Sequence, residues 1–226
     1  MSEETEKLED YLKKLDKFTL PDYEDFPHIE LYMEQVVSYL KEFLGDFYDG
    51  DADNLITPFM VNNYVKAKII APPNDKKYNR DHVAYLLAIS LLKSVVPMRD
   101  IATFIDLDKN AFKDNRNLYN FFKEIQEETL KTEVHKNKIR VATLKKTNHR
   151  TLKKGETEED IQALNLCYIA LRLYIQSETT KQLADRIMKE VSNRTLPKAV
   201  LVESKLETHL SNKKAFKEAQ KIGNRK

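Results

Sequence analysis

The chain has 226 residues, 33% of them charged, with four glycines, seven prolines, one cysteine and no tryptophan. So little glycine leaves no phosphate loop or dinucleotide fingerprint and argues against turn-rich β architectures. The lone Cys167 excludes an intrachain disulfide and a cysteine-built zinc cage. The net charge is only +2 but it is segregated along the chain. Residues 1–54 carry five Lys/Arg against sixteen Asp/Glu, residues 55–113 nine against five, residues 131–154 nine against one, and residues 203–226 seven against three. The length allows one or two domains with a real core. With no signal-peptide pattern and no apolar run of spanning length, a cytoplasmic protein is expected.

Apolar periodicity predicts a mainly helical, all-α chain. Leu8, Tyr11, Leu12 and Leu15 mark an amphipathic helix over 5–17, punctuated by Pro21 and Pro27. Ile29, Met33, Val36, Val37, Leu40 and Leu44 form the stripe of a second helix, with Gly45 ending it and an acidic turn over 46–54. Thr57 before Pro58 reads as an N-cap with proline at the first helical position, opening a short helix to about Lys68. Ala71-Pro72-Pro73-Asn74-Asp75 cannot continue it, so an exposed loop or small hairpin follows up to Tyr78. Asn79 caps the next helix, apolar nearly all round from Val83 to Val96, which marks a buried central element ended by Pro97. A helix with Ile101, Phe104 and Ile105 buried comes next. After it, Leu118, Phe121, Phe122 and Ile125 define a helix over 115–134. Beyond Val134 the chain turns basic and its period ambiguous, so a loosened helix or loop is expected. Thr157-Glu158-Glu159-Asp160 is a capping signal for a helix with Ile161, Leu164, Tyr168, Leu171 and Ile175. A separate helix with Leu183, Ile187, Met188 and Val191 precedes Pro197, and residues 203–226 read as a basic frayed or disordered tail.

The chemistry of catalysis is missing. There is no nucleophile elbow, no Cys-His signature, and the five histidines, His28, His82, His135, His149 and His209, never pair at metal-ligand spacing. Cys167 reads as a small core residue. Asp49, Asp51 and Asp53 mimic the start of a calcium loop, but Asn54 and Met60 stand where glycine and glutamate are needed, so a solvated acidic turn is the better reading. No enzyme, metal or cofactor is expected.

The informative segment is the helix begun at Thr57. Val61, Val65 and Ile69 turn inward by i, i+4 spacing, leaving Asn62, Asn63 and Lys66 on another face. Asparagine can pair with adenine in a major groove, lysine can reach guanine or phosphate, and the helix N-terminus can hold a phosphate. Lys76, Lys77, Tyr78 and Arg80 follow as a cationic finger that can grip the backbone, with Tyr78 offering its hydroxyl or anchoring the loop by packing. The alternative is an ordinary capped surface helix beside a solvated loop.

The order ITPFMVNNYVKAKIIAPP, then KKYNRDHVAYLLAISLLKSVVPMRDIATFI, resembles the recognition helix, wing and following helices of the MerR-type winged helix-turn-helix family. In that likeness Tyr64 matches the helix tyrosine, Ile69, Ile70 and Pro72 the exit, and Lys76 with Tyr78 the wing. Asn62 stands where the family carries an arginine and Lys68 where its exit carries glycine. LPDYEDFPHIELYMEQVV, with the same asparagine-tyrosine helix, is similar to the bacterial domain of unknown function 1836 family, over about residues 8 to 180.

These readings divide the chain into acidic N-terminal helices (1–54) packing on the core, a winged helix-turn-helix-like core (55–113), a C-terminal helical region for dimerisation or ligand input (114–202), and a basic tail (203–226). The expected function is a bacterial DNA-binding transcriptional regulator, a homodimer on double-stranded DNA through Thr57, Asn62, Asn63, Tyr64, Lys66, Lys76, Lys77, Tyr78 and Arg80. The dimer seam falls on the Leu118, Phe121, Phe122, Ile125 stripe or on the helix after Asp160. The alternative is a helical protein-protein interaction module that does not bind DNA. The basic run with Lys136, Lys138, Arg140, Lys145, Lys146, Arg150, Lys153 and Lys154 is a second polyanion surface, a solvated segment, or a dock for the acidic N-terminal third.

Overall fold

The computed structural model describes residues 3–48, 55–111, 114–144 and 157–191. The acidic turn at Asp49, Asp51 and Asp53, the later part of the basic run and the tail lie outside the described residues. Among the described residues there are seven α-helices and one two-stranded antiparallel sheet: α1 (Glu3–Lys17), β1 (Leu31–Tyr32), α2 (Met33–Phe47), α3 (Pro58–Lys66), β2 (Lys77–Tyr78), α4 (Arg80–Leu92), α5 (Met98–Ala111), α6 (Asn115–Leu144) and α7 (Glu158–Val191).

The centre is α4. It has no polar face, so Val83, Ala84, Leu86, Leu87, Ile89 and Leu91 are all buried. Asn79 caps it by accepting from the His82 amide at 3.2 Å. It ends at Leu92, five residues before Pro97, which instead accepts the first bonds of α5 from Asp100 and Ile101. Around α4 pack Val36, Leu40 and Leu44 of α2, Val61 and Tyr64 of α3, Ile101 and Ile105 of α5, and Tyr119 of α6, together with Phe26 from the segment before β1. Phe104, expected in the buried stripe of α5, is 42% exposed.

Several boundaries differ from the sequence reading. The second helix starts at Met33, not Ile29, because Leu31 and Tyr32 are drawn into pairing with Tyr78 and Lys77, and Ile29 is left exposed. Gly45 does not end it; the helix runs on to Phe47, whose ring packs on Phe18. From Val134 to Leu144 the basic segment is no loop: α6 is one helix of 30 residues, Asn115–Leu144. Val134 and Val141, seven residues apart on one face, are buried against Leu12 of α1, with Leu8, Leu15, Leu130 and Ile169 around them. Lys138 pairs with Asp16 at 2.7 Å, so this part of the basic run does dock on the acidic N-terminal segment.

The two expected C-terminal helices are one, α7, of 34 residues. Its start is the expected reciprocal cap: Thr157 N donates to Asp160 Oδ2 at 2.8 Å and Asp160 N to Thr157 Oγ1 at 3.1 Å; the bonds that Asp160 Oδ2 accepts from Thr157 N and Oγ1 hold its carboxyl below the ordinary range. Ile169 faces α1 and α6, whereas Cys167 is exposed rather than a core residue. None of the helices among the described residues is long and apolar enough to cross a membrane.

Burial acts alike on seven of the eleven tyrosines. Tyr23, Tyr39, Tyr48, Tyr64, Tyr78, Tyr85 and Tyr119 all have their phenol pKa raised, chiefly by desolvation, Tyr85 to about 12. The folded chain therefore keeps protons that the unfolded chain releases near pH 10, and stability is lost as pH rises above that value. Ultraviolet titration should show these phenols ionising together with the loss of helical circular dichroism, in one cooperative step rather than as a gradual rise.

Candidate nucleic-acid interface

The short helix α3 is held at both ends by its own sequence. Thr57 Oγ1 accepts from the Met60 amide at 3.2 Å, and Pro58 occupies the first turn, where its missing N–H is no loss. At the exit, Lys68 takes φ 57°, the left-handed region that glycine favours. Ile69 N then reaches Tyr64 O and Lys68 N reaches Val65 O, both at 2.9 Å. These two bonds form a Schellman ending, completed by burial of Ile69 and Tyr64. The helix stops at Lys66 as a result, two residues short of the expected end.

Val61 and Tyr64 fasten one side of α3 into the core, with Met60 and Val65 half-buried. The opposite side is free. Asn62, Asn63 and Lys66 are exposed, and Phe59 is 74% exposed. Positions 59, 62, 63 and 66 follow i, i+3, i+4, i+7 spacing and so form one stripe. Sequence reasoning missed Phe59, although its phase with the two asparagines, opposite Val61 and Tyr64, placed it there.

The cationic finger is a tight hairpin. Asn74 and Lys77 exchange both backbone bonds, at 3.0 and 2.7 Å, across Asp75 (φ 45°) and Lys76 (φ 64°). Positive φ at both central residues is what a two-residue hairpin turn of matched twist needs. Lys76 is exposed at its tip, while Lys77 lies along the sheet with its ammonium 5.7 Å from the Tyr32 ring.

The expected site residues therefore separate. Asn62, Asn63, Lys66 and Lys76 face solvent, Lys77 and Arg80 partly so. Arg80 lies over the Tyr23 ring at 5.4 Å and is bonded to the His28 ring. Thr57 spends its hydroxyl on the cap. Tyr64 and Tyr78 are buried, Tyr78 with only 2% exposure, so both rings anchor their elements from within, which for Tyr78 is the packing role rather than an offered hydroxyl. Acids intrude on the finger as well, with Asp75 in its turn and Glu34 close enough to help raise the Tyr78 pKa. No group of three His, Cys, Asp or Glu that could hold a metal occurs among the described residues.

Residues 21–125 match the model of a family described as Domain of unknown function (DUF1836). This stretch is a DUF1836 domain. It runs from just after Leu20 to just past Phe122, so it coincides with the core built around α4 and includes α3 and the hairpin. The match is shorter than the expected 8 to 180: α1, most of α6 and α7 lie outside it. No curated protein and no solved structure matches the chain.

Both ends of α3 can be tested within the DUF1836 domain. Urea unfolding should show Thr57→Ala losing about 1 kcal/mol with its cap. Lys68→Gly should gain about 0.5–1 kcal/mol by relieving the left-handed backbone.

Proposed function

We propose that the DUF1836 domain binds duplex DNA in the manner of a winged helix-turn-helix protein. In this reading α3 enters the major groove and the Asn74–Lys77 turn lies on the phosphate backbone. The observation that supports it best is the solvent-facing stripe of Phe59, Asn62, Asn63 and Lys66 on a helix whose other side is locked in the core. Its chemistry suits base edges: asparagine for adenine N6 and N7, lysine for guanine or phosphate, and phenylalanine for the thymine methyl group. The positive dipole end of α3, with the Phe59 amide, and the Lys76 ammonium supply backbone contacts.

A second copy of the chain completes the reading. Leu118, Phe121 and Phe122 are turned toward α4 and α5, which leaves α7 as the better seam. Its outer face presents Leu164, Tyr168, Leu171, Tyr174 and Ile175, from 37% to 76% exposed, opposite the side that carries Ile169 into the α1–α6 contact. An apolar stripe of this size on a free helix face is what an isologous dimer uses. The same face is the specific observation behind the alternative, a protein-interaction module without DNA.

Retention of randomised duplexes at low salt distinguishes the two. The DNA reading expects log K to fall linearly with log salt, with the slope reduced by about 2–3 in the triple variant Lys66→Ala, Lys76→Ala, Lys77→Ala. Phe59→Ala and Asn62→Ala should weaken binding to selected sequences more than to bulk duplex. No retention of any duplex by the wild type would leave the interaction module. Sedimentation should give a dimer mass that Leu171→Lys halves.

A further inference from the structure

A helix as apolar as α4 should be close-packed on every side, since unfilled apolar volume forfeits dispersion contacts. On one side it is not. Where α4 faces α5 and the start of α6, Ala84 and Ala88 present only methyl groups, and a half-open cavity of about 320 Å³ remains. Ile89, Ile101, Leu118 and the rings of Phe104, Phe121 and Phe122 wall it. The volume falls within the range of about 300–1,000 Å³ typical of small-molecule sites.

Of the polar residues in this wall, Asp81, Tyr85 and Asn115 lie at one end, with Tyr119 and Gln126 farther along α6. Asp81 and Tyr85 are one turn apart on α4, and the Tyr85 hydroxyl donates to Asn115 Oδ1 at 2.8 Å. Asp81 Oδ1 accepts from the Tyr23 hydroxyl. Asp81 is the one charged residue lining the cavity among the described residues, and the nearby Arg80 is turned to the Tyr23 ring and His28 instead. A carboxylate set in an aromatic wall favours a cation twice, through a charge-assisted hydrogen bond and through the ring faces, and repels an anion.

We propose that the cavity between α4, α5 and α6 binds a small molecule with an apolar or aromatic body and a protonated amine head directed at Asp81. The site shares no residue with the α3 stripe or the hairpin, so it stands whether or not the DNA reading does. One of its walls, α6, also runs from the DUF1836 core to the packing against α1 and α7.

Calorimetry with the full chain and three probes of one apolar body, phenylbutylamine, phenylbutanol and phenylbutyrate, tests it. The amine should bind about tenfold more tightly than the acid, with the alcohol between. Asp81→Asn keeps an oxygen for Tyr23 but should bring amine and alcohol within about twofold of each other. Ala88→Phe should fill the space and abolish binding of all three, with Ala88→Leu in its place if circular dichroism shows the phenylalanine variant unfolded. The proposal is overturned if no probe binds at millimolar concentration, if the acid binds as well as the amine, if the preference for amine survives Asp81→Asn, or if a folded filling variant still binds the amine.

Discussion

A helix without a polar face cannot end its folding at a water boundary, and α4 imposes that demand on everything near it. Its buried polar groups are accommodated locally only in part: Ser90 Oγ donates to Leu86 O at 2.7 Å and His82 Nδ1 is bonded to Asn79 at the cap, while His82 Nε2 is buried without a hydrogen-bond partner. The apolar remainder has to be covered by elements far away in sequence. α2, α3, α5 and α6 each bring a few large side chains, and the two-residue β1–β2 pairing ties residues 31–32 to 77–78, directly before α4 begins. So short a sheet contributes little burial. It fixes register, holding α2 against α4 and giving the Asn74–Lys77 turn a rigid base.

Charge segregation along the chain is partly resolved inside the fold. Asp16, Asp22 and Glu24 pair with Lys138, Lys123 and Arg116 of α6, so the acidic N-terminal segment and the basic helix run antiparallel along one line. Pairs this exposed are worth about 0–1 kcal/mol each, less than burying Leu12, Val134 and Val141. They set alignment, and the apolar contacts hold it. One consequence bears on function. Part of the positive charge of α6 is neutralised by these acids, whereas Lys66 and Lys76 are exposed on elements anchored in the core.

What could be read from the sequence was local chemistry. The caps at Thr57, Asn79 and Thr157 each depend on residues within one turn, and each forms the expected bonds. The all-round apolar pattern of α4 was equally plain. What could not be read depends on distant partners. Val134 and Val141 are too sparse to declare a helix until Leu12 arrives from α1. Ile29 keeps helical phase with Met33, but strand pairing with Lys77 and Tyr78 overrides it. Between the two helices expected from the stripes ending at Ile175 and resuming at Leu183, Thr179 and Thr180 return their hydroxyls to the Ile175 and Gln176 carbonyls and α7 continues. At the candidate site, exposure of the two asparagines followed from periodicity, while burial of Tyr64 and Tyr78 followed only from the exit geometry at Lys68 and the register of β2.

The size of α3 argues for coupling the two surfaces. Four side chains on nine residues give at most a few base contacts, each worth about 1–3 kcal/mol of discrimination. On the proposed DNA reading, one such helix with the few cations beside it would stay near the affinities of about 10⁻⁴–10⁻⁶ M characteristic of non-specific binding. A rigid pairing of two copies would add the second helix's contacts without a second loss of translational freedom. Paired half-sites lie about 34–36 Å apart, and a 34-residue helix is about 51 Å long, so α7 is long enough to set such a spacing. Its inner face is fixed by α1 and α6, and α6 begins inside the core that carries α3. On that reading α7 would be joined to α3 through packed helices, with α6 and the core between them.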